Sequence, residues 1–338
     1  MTTQEHRLEA PHRRVESRSR ILERAAVITY RATAALLSWI PPRLSTFVIA
    51  RFVQLGYLVM PRKRSYSNAN FGHVLGLPPG HPRVRALALR AYASYARYIV
   101  ELMRLPSRPH EELRSGVEAE GVDDVAEAWR ASGGPLIVVA AHVGNNEAVA
   151  AGIAERGYPI SVVADDTAFP ELFELLRRQR ESWGVRLIPW RNLRELFSVL
   201  RRGEILALLV DWGYRADGIP VRLFDAWTTL PAGPATLAAK SGATIVPVVI
   251  RRRPDGRFHL TLDTPISASS TAPAETRRVT QAIAAWLERT VAAAPEQWYS
   301  FKPIWPATEA EQASLAARAA ELDALTTSGR PGASPGAA

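Results

Sequence analysis

The chain has no cysteine in its 338 residues. Disulfides, thiolate metal ligands and a cysteine nucleophile are therefore excluded, and the composition suits a reducing compartment. Lysine is nearly absent as well: Lys63, Lys240 and Lys302 are the only ones among 42 Lys and Arg residues. The net charge of +9 is thus carried by arginine, the better bidentate partner for phosphate. That balance fits an anionic membrane, a phosphorylated substrate or nucleic acid. No zinc-finger spacing, basic zipper or aromatic RNA-binding signature accompanies it, so nucleic acid is not an expected partner. A Gly-x-Ser-x-Gly elbow is missing, which argues against a serine hydrolase. No stretch reaches about 20 uninterrupted apolar residues, the length a membrane-spanning helix needs. Residues 1–24 are polar and Arg-rich, with no apolar core and no small-residue cleavage site, so a cleavable signal peptide is not expected.

What is there is a large apolar content, 47%, enough to bury a full core. From residue 136 onward, short apolar runs alternate with amphipathic stretches. Strands are expected at 136–141, 160–164, 185–189, 204–210, 244–250 and 257–262. Helices are expected at 147–155, 170–181, 192–201, 234–241 and 275–293, with an earlier one at 83–103. This alternation predicts an α/β fold, a mainly parallel sheet flanked by helices. Before it, 25–40 and 46–60 are apolar but interrupted by Arg31 and Arg51. They read as an amphipathic helical hairpin around Pro41-Pro42, flanked by basic residues (Arg13, Arg14, Arg18, Arg20, then Arg62, Lys63, Arg64), a pattern suited to the surface of an anionic leaflet. The expected organisation is a polar N-terminus (1–24), the membrane-associating hairpin (25–64), an α/β domain (65–306), and a C-terminal helix with a disordered Thr/Ser/Gly/Pro/Ala tail (307–338).

The most informative stretch is Leu136-Ile-Val-Val-Ala-Ala-His142-Val-Gly-Asn-Asn-Glu147. An apolar, β-branched run reads as a parallel strand buried on both faces. His142 then sits at its carboxyl end, just before a helix, where ligands bind in open α/β sheets. A histidine with a nearby carboxylate forms a general-base pair, and Glu147 is the carboxylate the spacing offers. Gly144 permits close backbone approach, and Asn145 or Asn146 can cap the following helix. Asp165, Asp211 and the Arg251-Arg252-Arg253 run follow other strands, so all are candidates to converge on one cleft.

His142-x-Gly-Asn-x-Glu147 resembles the motif of the bacterial lipid A acyltransferases and of their relatives that acylate phosphatidylinositol mannosides. The resemblance extends to Arg180–Pro189, to Gly203–Asp211 with its strand ending in Asp, to Thr228–Pro247 with its Gly-Pro helix and Gly-Ala-x-x-x-Pro strand, and to Pro295-Glu-Gln-Trp298. Together these span about Arg62 to Pro306. The resemblance implies a glycerolipid-acyltransferase-like fold and transfer of an acyl chain from acyl-CoA or acyl carrier protein, as co-substrate, to a glycolipid hydroxyl. It implies no metal or further cofactor. It also implies that Arg180 and Asp211 line the site, with Arg180 near a phosphate or the developing charge.

On this reading His142 removes the proton, Glu147 orients His142, and backbone N–H groups of Gly144–Asn146 or the Arg180 side chain meet the oxyanion. Arg251 would serve a basic rim for the phosphates of the donor. Asn146 stands where the lipid A enzymes usually show Trp, which leaves the acceptor open among a phosphatidylinositol mannoside, a lipid A type and a lysophospholipid. The Arg/Ala-rich, lysine-poor composition favours the first. The expected location is the cytoplasmic face of the cell membrane. The alternative from another class is a non-catalytic peripheral membrane-binding protein, in which His142 and Glu147 are structural.

Overall fold

Proline sets where many of the helices begin. In the computed structural model, which describes residues 9–164 and 170–328, α2 (Pro42–Val59), α3 (Pro61–Leu75), α4 (Pro82–Arg104), α8 (Pro170–Glu181) and α11 (Pro273–Ala293) all start on a proline. There its fixed φ is already helical and its missing N–H costs nothing. The remaining helices are α1 (Glu9–Trp39), α5 (His110–Ser115), α6 (Ala119–Ala131), α7 (Asn146–Ala154), α9 (Leu193–Arg201), α10 (Gly233–Ser241) and α12 (Glu309–Ser328). The strands are β1 (Leu136–Ala140), β2 (Ile160–Ala164), β3 (Arg186–Pro189), β4 (Ile205–Leu209), β5 (Ile219–Leu223), β6 (Ala226–Leu230), β7 (Thr244–Arg252) and β8 (Phe258–Leu262).

Six strands form one sheet in the order β3-β2-β4-β1-β7-β8. All neighbours are parallel except β7–β8, which is antiparallel. The α/β, mainly parallel architecture expected from the alternation is the one found. β1 is central and buried along its whole length, because the sheet has a core on each face. Ile137 and Val139 join the cluster formed with α9, α10 and α11, through Leu196, Leu237 and Ile283. Leu136, Val138 and Ala140 join the other, formed with α6 and α7 through Val125 and Val149. A strand covered on both sides must be apolar on both, which is why its sequence does not alternate.

β5 and β6 make a separate antiparallel hairpin that the alternation did not announce. Its two-residue turn is Phe224-Asp225, both at positive φ (47° and 58°). That is type I′ geometry without the Asn-Gly or Asp-Gly that usually signals it. The surroundings hold it there: Phe224 N–H donates to Glu288 on α11 (2.7 Å) and Trp227 N–H to Gln312 on α12 (2.8 Å).

The N-terminal region differs from the expected hairpin. Helix α1 already runs from Glu9, and α3 spans 61–75, so a boundary between residues 64 and 65 falls inside a helix. The α2–α3 junction bends by 96°. These helices are docked on the α/β domain: Tyr57 packs edge-on to Tyr92 of α4 at 5.2 Å and belongs to the main core, and Gln54 donates to the Leu89 carbonyl at 3.0 Å. No single helix among the described residues is long and apolar enough to cross a membrane; α2 and α3 reach that length and composition only as a bent pair. The C-terminal helix is present as α12, while the tail beyond Ser328 lies outside the described residues.

Candidate active site

β1 and β4 are neighbours with Ala140 opposite Leu209, so the residues just past their carboxyl ends emerge side by side. These are His142 and Asp211. The His142 Nδ1–H donates to Asp211 Oδ1 at 2.7 Å, and the His142 backbone N–H to Asp211 Oδ2 at 2.9 Å. Trp298 Nε1–H completes the shell on Oδ2 at 2.8 Å. The Asp211 side chain is fully buried, whereas that of His142 keeps 26% of its exposure. An ionised carboxylate can only accept, so Nδ1 carries the proton and Nε2 is left as the free base.

Electrostatics follow from this burial. Desolvation works against a charged imidazole, but the charge and hydrogen bond of Asp211 outweigh it, leaving His142 above the ordinary histidine range. Burial likewise pushes Asp211 up, but His142 and its hydrogen bonds, with that of Trp298, hold its carboxyl below the ordinary aspartate value.

The orienting carboxylate is therefore Asp211, and the role expected for Glu147 is corrected. Glu147 faces away into a bidentate ion pair with Arg180, Nε to Oε2 at 2.7 Å and Nη2 to Oε1 at 2.5 Å. It acts on His142 only weakly, through charge. The expectation missed this because it used distance along the chain. Glu147 is five residues from His142, but on the first turn of α7 it points toward α8, while Asp211 arrives from the adjacent strand.

The turn between β1 and α7 is held by several contacts. Gly144 has φ +70°, and a Cβ there would lie 2.6 Å from the Ile250 carbonyl oxygen, so only glycine fits. Its N–H donates to the Gln297 carbonyl at 3.2 Å, which removes it from the expected oxyanion donors. Val143 bridges to Trp298, and Tyr299 N–H donates to the His142 carbonyl at 2.8 Å. Residues 295–299 are thus a strap along the turn. Asn145, not Asn146, caps α7 by accepting from Ala148 N–H at 3.0 Å. The amide of Asn145 donates to Glu101 at 3.0 Å, and Glu101 in turn holds Arg252 through two bonds of 2.7 and 2.8 Å. Asn146 donates to the Ala141 carbonyl at 2.8 Å. The N–H groups of Asn146 and Glu147, at the start of α7, have no intrahelical acceptor.

Below the turn, between α7 and the sheet, lies a small cavity of about 60 Å³. Its walls are apolar, among them Val138, Val149, Ile153, Val248 and Leu260, while Asn146 and Glu147 supply its polar lining. Trp212 lies 5.7 Å from the His142 ring, centroid to centroid.

Two expected members are not brought to this place. Arg251 makes no hydrogen bond or ion pair with the His142–Asp211 pair among the described residues, and its Nε is buried without a partner. Its neighbour Arg252 is the one tied into the turn. Asp165 lies outside the described residues. Glu101, Trp298 and Trp212 escaped the sequence reading. Glu101 sits in a helix whose apolar stripe suggests only core, whereas Trp212 directly follows Asp211 and Trp298 closes the last recognised segment, so both were within sight. Among the described residues no group of three or more His, Asp or Glu is placed to hold a metal ion.

A histidine–carboxylate base beside an apolar cavity, at the carboxyl end of a parallel sheet, suits an enzyme that handles an apolar chain. The chain belongs to the bacterial lipid A biosynthesis acyltransferase family, whose model matches residues 13–306. It is similar to the phosphatidylinositol mannoside acyltransferase of Mycolicibacterium smegmatis, 29% identical over 245 residues, covering 70% of this chain and 77% of the relative. A protein of the same name from Mycobacterium tuberculosis is 28% identical over 258 residues, covering 74% of this chain and 80% of its own.

Proposed function

We propose that this acyltransferase moves a fatty acyl chain from an acyl thioester to a hydroxyl of a membrane glycolipid, a phosphatidylinositol mannoside being the acceptor its relatives' names favour. The observation that carries the reading is the His142–Asp211 pair next to an apolar cavity. His142 Nε2 takes the proton of the acceptor hydroxyl, and Asp211 stabilises the imidazolium. The hydroxyl oxygen bonds to the thioester carbonyl carbon, and the oxyanion is met by the free N–H groups of Asn146 and Glu147 at the positive end of α7, with the Arg180 charge close by. Collapse breaks the C–S bond, the thiolate leaves with the proton from His142, and the products are an ester and a free thiol. The apolar lining of that cavity meets the acyl chain, and the donor is acyl-CoA or acyl carrier protein.

The surface supports work on a membrane. Trp39, Phe47, Phe52, Leu55 and Leu58 of α1 and α2 are all more than half exposed, beside Arg43, Arg51, Arg62, Lys63 and Arg64. Apolar side chains among arginines suit an anionic leaflet on the cytoplasmic side.

Thiol release from palmitoyl-CoA, measured with a panel of lipid acceptors, tests the reading, and the lack of cysteine removes any protein background. Release should require an acceptor and be lost in His142→Ala. Release without any acceptor would mean a thioesterase. No release from either an acyl-CoA or an acyl carrier protein donor would return the chain to a non-catalytic membrane-binding role.

A further inference from the structure

Trp212 is set apart from the other aromatic residues near the site. The rings of Trp298, Tyr92 and Phe71 are buried, but Trp212 is 53% exposed. Its ring is 5.7 Å from that of His142 and tilted by 40°. The Lys302 ammonium lies over it, 3.4 Å from the ring centroid. The arrangement is rigid on both sides. Asp211, the preceding residue, is locked by three donors, and the segment carrying Lys302 is tied down by Asn70 Nδ2–H to the Lys302 carbonyl (2.8 Å) and Tyr214 N–H to the Pro303 carbonyl (2.8 Å).

The neighbourhood narrows the ligand. An acyl chain needs a continuous apolar wall, and Trp212 is not among the residues that line the apolar cavity. The groups placed against its ring are His142 and Lys302, one a base and the other a cation. An isolated, fixed indole amid polar groups matches a ligand with an apolar C–H face and a polar rim, which is a pyranose ring. The electron-rich face of the indole attracts the polarised C–H bonds, and the rim hydroxyls meet the polar neighbours.

We infer that Trp212 is the platform on which the sugar ring of the acceptor stacks, presenting one hydroxyl to His142 Nε2. This rests on the acyl-transfer reading above and adds the residue that selects a glycosylated acceptor. The test uses the full chain with palmitoyl-CoA and a mannosylated phosphatidylinositol. KM for the acceptor and binding to phosphatidylglycerol vesicles are measured for wild type, Trp212→Tyr, Trp212→Leu and Trp212→Ala. Leu and Ala should raise KM about 5- to 10-fold, the range of an aromatic stacking contact. Tyr should stay within about 3-fold, and vesicle binding should not follow the KM order. Leu performing as well as Tyr would overturn the proposal, since apolar cover alone would then suffice. Vesicle binding lost in parallel with KM would also overturn it, making Trp212 a membrane anchor. Wild-type transfer to sugar-free hydroxyl lipids but not to mannosylated ones would overturn the platform while sparing the acyl-transfer reading. Absence of transfer to any hydroxyl would defeat that reading, and the platform with it.

Discussion

His142 and Glu147 share a motif but have different partners, and each partner imposes its own signature. Asp211 raises the proton affinity of His142 against the effect of burial. A base must be deprotonated to act, so the rate should rise with pH through an acid limb set above the ordinary histidine range. Asp211→Asn removes the charge and leaves burial unopposed, so the limb should move to lower pH while the plateau rate falls on the order of 10²–10⁴-fold. Glu147→Gln should leave the limb nearly in place, because Glu147 acts on His142 only weakly. Its cost should appear as a lower rate and as lost stability, about 3 kcal/mol for stranding the largely buried Arg180 guanidinium. Rate–pH profiles and thermal unfolding of both variants check this, and a larger limb shift in the Glu147 variant would reverse the assignment of partners. The place of His142 at the end of a buried strand was legible in the sequence because an apolar strand ending in His-x-Gly-Asn is a local pattern. Its carboxylate partner was not, because β1–β4 adjacency is a tertiary fact joining residues 69 apart.

At the scale of elements, the turn from β1 into α7 depends on a strap and on a glycine. Gly144→Ala should be strongly damaging: positive φ costs a non-glycine residue about 1–2 kcal/mol, and the added methyl meets the Ile250 carbonyl oxygen. Circular dichroism and thermal unfolding should show a folded but less stable protein with impaired transfer; unchanged activity would mean that the turn's position is unimportant. The alternating strands and helices of the α/β core were readable because each pattern is complete within ten or so residues. The β5–β6 hairpin was not, since Phe224-Asp225 carries no turn signal and its positive φ values are imposed by α11 and α12. The start of α1 was hidden for a related reason: a polar, Arg-rich stretch shows no apolar periodicity from which to begin a helix.

For the whole molecule, the first two helices both pack on the domain and display an apolar face. Arg104 of α4 reaches back to the Leu37 carbonyl and, at 2.8 Å, to that of Ile40. Tyr30 of α1 donates to Gln179 at 3.1 Å, next to Arg180. Any membrane that these helices touch is thereby placed in a fixed relation to the site. Binding to phosphatidylglycerol vesicles should fall as salt rises, since each basic residue near the surface contributes about 1 kcal/mol. Trp39→Ser with Phe52→Ser should weaken binding further without altering the fold. Sedimentation with vesicles measures both, and equal binding by the double variant would show that this face does not meet lipid.

The strap at 295–299 has a consequence in time. Trp298 and Tyr299 follow both His142 and Asp211 in the chain, and they complete the hydrogen bonds of Asp211 and of the His142 turn. During synthesis the ribosome delivers β1, His142 and even Asp211 long before it releases the strap. Domains fold as their residues emerge, yet this carboxylate must wait for its last donor. A nascent chain on the ribosome therefore carries all the reactive groups of the site without the clamp that aligns them. Only a chain extended past the strap can hold His142 and Asp211 in register.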